Sequence, residues 1–253
     1  MTGITAAGLG SPAAVSSFGP ELGAFIAVFV RTSGLVATAP VIGDSGVSIR
    51  ARLVLVVGVS IAIAANRDPI PFADLPATAV LELAIGLVTG LAARFIVSRV
   101  AIAGQLMGLS LGLGFASEYD VHAGESAGVL RTLASTLVGI AFVVAGGLEA
   151  IVRSVASGPA HVTQLATLGS QVIDHAASAF GHGLMLAAPI VLAALVGNIG
   201  LAVINRAAPA VNVFSISLAA VLIVGGLVLV ATAASFAAGA SDSARDALAQ
   251  LLG

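Results

Sequence analysis

Residues 197–217 read GNIGLAVINRAAPAVNVFSIS. A long apolar run enters this stretch from near Phe180, and another leaves it and continues to Ala240. Between the runs stand Asn198, Asn205, Arg206, Pro209 and Asn212, four polar groups and a helix breaker. A polar group left unsatisfied in an apolar medium is costly, so each needs a hydrogen-bonding partner or water. The junction therefore reads either as a turn at a membrane surface or as a packed polar joint between helices.

The rest of the chain sets that junction in an apolar context. Of 253 residues, 58% are hydrophobic and 9% charged, with a mean hydropathy of +1.12; soluble domains carry about 25% charged residues. This is an integral membrane protein, or one that lives within an assembly of them. With roughly 20 residues per span, the length suits about six to eight helices and an all-α fold. There is no Trp and Tyr119 is the single tyrosine, so the usual aromatic anchors at a membrane interface are nearly missing. That weighs against a simple lipid-bathed bundle and favours helices covered by other protein. The absence of cysteine excludes a disulfide framework, thiolate metal sites and a cysteine nucleophile. Residues 1–20 hold no charge and lack the basic start of a secretory signal. The expected organisation is a lead-in at 1–20, one helical domain at 21–240 and a tail at 241–253.

Hydropathy along the chain gives apolar segments at Leu22–Ala39, Leu53–Ala65, Ala77–Val97, Val100–Phe115, Val129–Val152, Phe180–Ile204 and Val213–Ala240. Val100–Phe115 either continues the helix before it or turns back. Asn66–Pro76, with three prolines, reads as a loop. Ser117–Gly128 is the most polar stretch, and Arg153–Ser178 reads as a loop plus an interfacial or amphipathic helix. Placing Arg50 and Arg52 in the cytoplasm puts Arg94, Arg99, Arg153 and Arg245 inside as well, and leaves Arg67 and Arg206 outside.

Few residues here suggest chemistry. Arg31 and Glu82 each sit inside an apolar segment, and such charges are by default paired or functional. They form a candidate buried pair. Gly86 and Gly90, and then Gly104, Gly108 and Gly112, recur every four residues and give helix faces that a neighbouring backbone can approach closely. Gly124–Gly128 matches G-x-S-x-G, but a glycine-rich helix precedes it where that motif needs a strand, so Ser126 reads as a polar loop residue or helix cap. His122, His161, His175 and His182 are scattered and complete no metal set, and no phosphate loop or dinucleotide fingerprint appears. These residues suggest no enzyme, cofactor or nucleic-acid site. A secondary transporter with Arg31, Glu82 and the interrupted helix near Pro209 at a midplane site is the alternative.

The junction, together with the motifs before it, resembles the FliR family of the export gate of flagellar and virulence-associated type III secretion systems. Asn198, Arg206, Pro209, Asn212 and Phe214 match its C-terminal signature, whereas Ala210 stands where the family often has Gln. FVRTSGLVATAP (Phe29–Pro40), VSIRARL (Val47–Leu53), Glu82 with Gly86 and Gly90, and AGQLMGLSLGLGFA (Ala103–Ala116) are similar to its earlier motifs in the same order. The resemblance implies a non-enzymatic, all-helical channel subunit at the inner membrane. It implies assembly with FliP-like and FliQ-like gate proteins into a cone, much of it on the periplasmic side. An FlhB-like partner would sit at the cytoplasmic entrance, and unfolded proteins would pass through. It also implies a pore plug near Met107–His122, carried by Met107, Leu109, Leu111, Gly112, Leu113, Gly114 and Phe115. Gly104, Gly108 and the signature residues would serve packing and assembly.

Overall fold

A computed structural model describes residues 12–43, 46–112, 128–207 and 213–252. Among the described residues the fold is all-helical, with seven helices and no strand. They are α1 (Pro12–Thr38), α2 (Ile49–Ala64), α3 (Leu75–Ser110), α4 (Val129–Val144), α5 (Gly147–Ala156), α6 (Val162–Ala207) and α7 (Val213–Leu252). The apolar portions of α1, α3, α6 and α7 are each long enough to cross a membrane. The broken pair α4–α5, counted as one, would make a fifth span.

The helix ends have local causes. Ser48 caps α2 by accepting a hydrogen bond from the Ala51 amide at 3.3 Å. The α4–α5 break falls at Ala145–Gly146, where Gly146 takes a positive φ of 96° that favours glycine. Pro189 lies inside α6 without ending it.

The observed boundaries decide one point the hydropathy reading leaves open and differ from it at others. Of the two readings for the stretch from Val100, residues 100–110 continue α3. Arg94 and Arg99 are thus mid-helix residues rather than markers of a cytoplasmic end. Val129–Val152 is one apolar run in sequence but two helices in the fold. The helix expected within Arg153–Ser178 begins at Val162 and is not separate, since it runs unbroken into the apolar part of α6. Helix α1 begins at Pro12 and continues through Pro20.

The chain divides into two compact units. The first takes Met1–Arg94, Leu148–Ile173 and Ala249–Gly253. Its core is the α1 row Ala24, Ala27, Val28, Thr32, Leu35 and Val36, whose spacing of three and four residues puts one helical face inward. This row meets the glycines of α3. A Cβ on Gly86 would overlap the Arg31 carbonyl, and one on Gly90 would overlap Thr38 Oγ1 and lie 2.8 Å from the Leu35 carbonyl. Gly34 returns the contact from α1, since its Cβ would lie 2.9 Å from the Leu83 carbonyl. The seam admits no side chain. Gly86→Ala is therefore expected to destabilise by about 1–3 kcal/mol through overpacking. Gly58 on α2 has open space where its Cβ would go, so Gly58→Ala should instead gain up to about 1 kcal/mol of helix propensity. Thermal unfolding in detergent of the two variants, side by side, checks both signs.

The second unit takes Phe95–Gly147 and Asp174–Leu248. Ala103, Met107 and Leu111 of the α3 end pack with Ala187, Ile190 and Ala194 of α6 and Val221 of α7. A second cluster joins Val100 to Ala134 and Val138 of α4 and Ala240 of α7. Small residues again set the spacing. A Cβ on Gly104 would lie 2.6 Å from the Ala134 methyl, and one on Gly225 would overlap Leu111.

Candidate functional site

The buried charges of the first unit meet. Arg31 of α1 and Glu82 of α3, 3% and 2% exposed, lie with Nη1 3.3 Å from Oε2. Their segments make the meeting possible, because Gly86 brings the α3 backbone against the α1 backbone one turn away. The pair has further partners on the chain. Arg31 Nη1 donates to the Gly158 carbonyl at 2.8 Å, and Nη2 donates to the Ser154 carbonyl at 3.1 Å and to Ser157 Oγ at 3.4 Å. Glu82 Oε1 accepts from the Ala160 amide at 3.1 Å. Arg67, from the turn after α2, donates through Nη2 to the Val155 carbonyl at 2.8 Å. Both buried charges are thus occupied by one another and by backbone groups of the turn between α5 and α6.

This geometry does not suit the midplane binding site of a transporter. A substrate site needs unsatisfied groups facing a cavity, and here the fork of Arg31 and both carboxylate oxygens of Glu82 are already engaged. The sequence reading named Arg31 and Glu82 but missed Arg67, Ser154, Ser157, Gly158 and Ala160. The one local signal was Gly158-Pro159, which marks a turn but not its partners.

The second unit has its own polar contact. Arg99 of α3, 8% exposed, donates through Nη2 to His175 Nδ1 of α6 at 3.3 Å. Its Nη1 lies 3.6 Å from Asp246 of α7. A guanidinium has no acceptor, so this contact needs the His175 tautomer that carries its proton on Nε2. His161 is exposed, and His182 Nδ1 lies 2.8 Å from the Ser178 carbonyl. Among the described residues no group of histidines and carboxylates could hold a metal ion.

The glycine-rich end of α3 is partly fixed by the core. Met107 and Leu111 are 2% and 3% exposed and packed within the second unit, while Leu109 points outward at 57%. Gly112, with φ 73°, follows the last turn of α3, its amide bonded to the Leu109 carbonyl at 3.1 Å. Leu113, Gly114, Phe115, His122 and Ser126 lie outside the described residues, as do Pro209 and Asn212 of the C-terminal signature. Of that signature, Asn198 and Arg206 are exposed on α6, and Phe214 lies in the first turn of α7. Asn198 and Arg206 are thus left uncovered, whereas Leu201 between them packs partly on the core of the second unit.

Comparison with known proteins places this arrangement. Residues 22–246 match the family model of bacterial export proteins, family 1. The chain belongs to this family, the FliR family. It is 28% identical over 213 residues to the flagellar biosynthetic protein FliR of Pectobacterium carotovorum subsp. carotovorum, covering 79% of this chain and 80% of that protein. It is 29% identical over 208 residues to the FliR of Escherichia coli (strain K12), covering 78% of each. The FliR of Aquifex aeolicus (strain VF5) is 29% identical over 213 residues, with 79% and 81% covered. The match to the family model begins and ends within described helices and includes both buried charge clusters.

Proposed function

We propose that the chain is a non-enzymatic channel subunit of a type III protein export gate in the bacterial inner membrane. In this reading residues 21–240 form one gate domain that assembles with FliP-like and FliQ-like proteins, with an FlhB-like partner at the cytoplasmic entrance. Unfolded proteins are the cargo. Its relatives are flagellar biosynthetic proteins, which supports the flagellar form of the machine.

The observation that carries assembly is the length of the exposed apolar surface on α6. A 46-residue helix rises about 69 Å. Its exposed apolar side chains run from Ile173 through Phe180, Met185, Leu192 and Val196 to Ile204, a distance of about 47 Å. A hydrocarbon core is about 30 Å thick, and even a 40° tilt lengthens the path to only about 39 Å. Lipid alone cannot cover that stripe, and water is a poor alternative for so much apolar surface. Helix α2 adds to this. Its 16 residues rise about 24 Å, too short to span, yet Ile49, Leu53, Val54, Val57 and Ile61 are exposed. Protein surfaces from gate partners supply the missing cover, including over Asn198 and Arg206.

The pore-plug role falls to Leu109 and the stretch from Gly112 to Phe115, with Met107 and Leu111 as the anchor that roots it in the core. Glycines allow the stretch to yield, and Leu and Phe give an apolar seal. Deleting Gly112–Ala116 is expected to raise ion or small-solute leak through the assembled complex in cells. Normal leak in a complex that still assembles would remove the plug role. Failure of the purified chain to associate with FliP-like and FliQ-like proteins would remove the gate reading itself.

A further inference from the structure

Two arginines and one carboxylate converge on the turn that joins α5 to α6, where they contact its backbone and its Ser157 hydroxyl. The last carbonyls of a helix have no intrahelical donor. At the end of α5 that of Ser154 is shared by the Ser157 hydroxyl at 2.8 Å and Arg31 at 3.1 Å, and that of Val155 is served by Arg67; the two arginines come from elements about 90 to 120 residues earlier in the chain. Beyond the helix, Gly158 holds a positive φ of 108° that turns its carbonyl to Arg31 Nη1. The Ala160 amide, just before α6, is held by Glu82. The Arg31–Glu82 distance of 3.3 Å is longer than the 2.8 Å from Arg31 to Gly158, so the ion pair is not the closest contact the arginine makes.

We propose that Arg31, Glu82 and Arg67 form a latch whose object is the Ser154–Ala160 turn. The latch fixes where α5 ends and α6 begins, and it is the fork of Arg31, rather than its charge alone, that closes it. Water has little access to Ser154, 6% exposed, while the latch holds. Loss of the fork takes the arginine donors from the Gly158 and Ser154 carbonyls, leaving Ser154 with the Ser157 hydroxyl, and local opening of the half-buried turn to water relieves that cost. This inference does not rest on the gate reading, since all its residues lie in one compact unit of the chain.

The chain contains no cysteine, so one engineered thiol is a clean reporter. Ser154→Cys in the full chain, in membranes, is treated with N-ethylmaleimide and its modification rate measured. A second reporter, Val138→Cys, sits in the other unit at a fully buried position and detects general unfolding. Arg31→Lys keeps the charge beside Glu82 but replaces a planar fork by a point donor. It is expected to speed modification of the Ser154→Cys thiol by about tenfold and to leave the Val138→Cys thiol unchanged. Arg67→Gln, which removes one arm, should give about a threefold rise. The exchanged pair Arg31→Glu with Glu82→Arg should remain fast, because it places a carboxylate against the Gly158 and Ser154 carbonyls. Protection restored by the exchange would show a simple ion pair and overturn the latch. So would an unchanged rate in Arg31→Lys, or an equal rise at both reporters.

Discussion

Arg31→Leu is expected to destabilise the folded chain by about 3–5 kcal/mol, because it leaves the Glu82 carboxylate buried without its cation. The size follows from burial: both side chains are 3% exposed, so water cannot replace the lost partner. The double variant Arg31→Leu/Glu82→Leu sharpens the expectation. Replacing a whole buried ion pair by apolar groups is often nearly neutral. Here recovery should be partial, because the Gly158 carbonyl loses its arginine donor and the Ala160 amide its carboxylate acceptor. An unsatisfied group costs about 1–3 kcal/mol when fully buried, and these two, on half-buried residues, fall at the low end. Denaturant titration of the purified protein in detergent, with the two single variants and the double, measures the coupling. A double variant as stable as the parent would show that the turn contacts contribute nothing.

Phe142→Ala should cost about 3–5 kcal/mol in the second unit, the range for emptying a large aromatic site. Phe142 is the largest fully buried side chain described, at 0% exposure. It packs at the α4–α5 break, where a Cβ on Gly147 would collide with its ring. The ring therefore occupies the space the missing side chain leaves. Phe142→Leu should recover about half of the loss, since volume is partly restored. Unfolding followed by loss of protection at a thiol engineered at Val138 reports on this unit. A loss under about 1 kcal/mol for the alanine variant would mean that the break collapses and refills the site.

The fold class was legible because 9% charge and a mean hydropathy of +1.12 leave little room for anything but apolar helices. The boundaries were less legible, for reasons that particular residues show. Arg94, Ser98 and Arg99 look like the polar end of a span, yet α3 continues because His175 and Asp246 meet Arg99 from two other helices. Hydropathy sees the charge but not the partners. At Ala145–Gly147 the run stays apolar while the backbone turns, so the break is carried by φ at Gly146 and by the packing of Phe142. Residues 162–178 are only moderately apolar, and they remain helical because nothing in them stops a helix. The Arg31–Glu82 site was half visible. A charge in an apolar segment announces itself, but the backbone carbonyls it serves carry no sequence signal.

Pro189 adds a requirement of another kind. Lacking an N–H, it cannot close the hydrogen bond that the Met185 carbonyl would otherwise receive within α6. Around it, Met185 and Leu192 are exposed at 76% and 58% and give the turn an oily surface. Acyl chains would match those side chains and yet could offer the carbonyl nothing, a mismatch that is costly in hydrocarbon. An oily turn of the helix is thus poorly suited to bare lipid. Whatever lies against it must bring a hydrogen-bond donor of its own, be it a water, a hydroxyl or an amide.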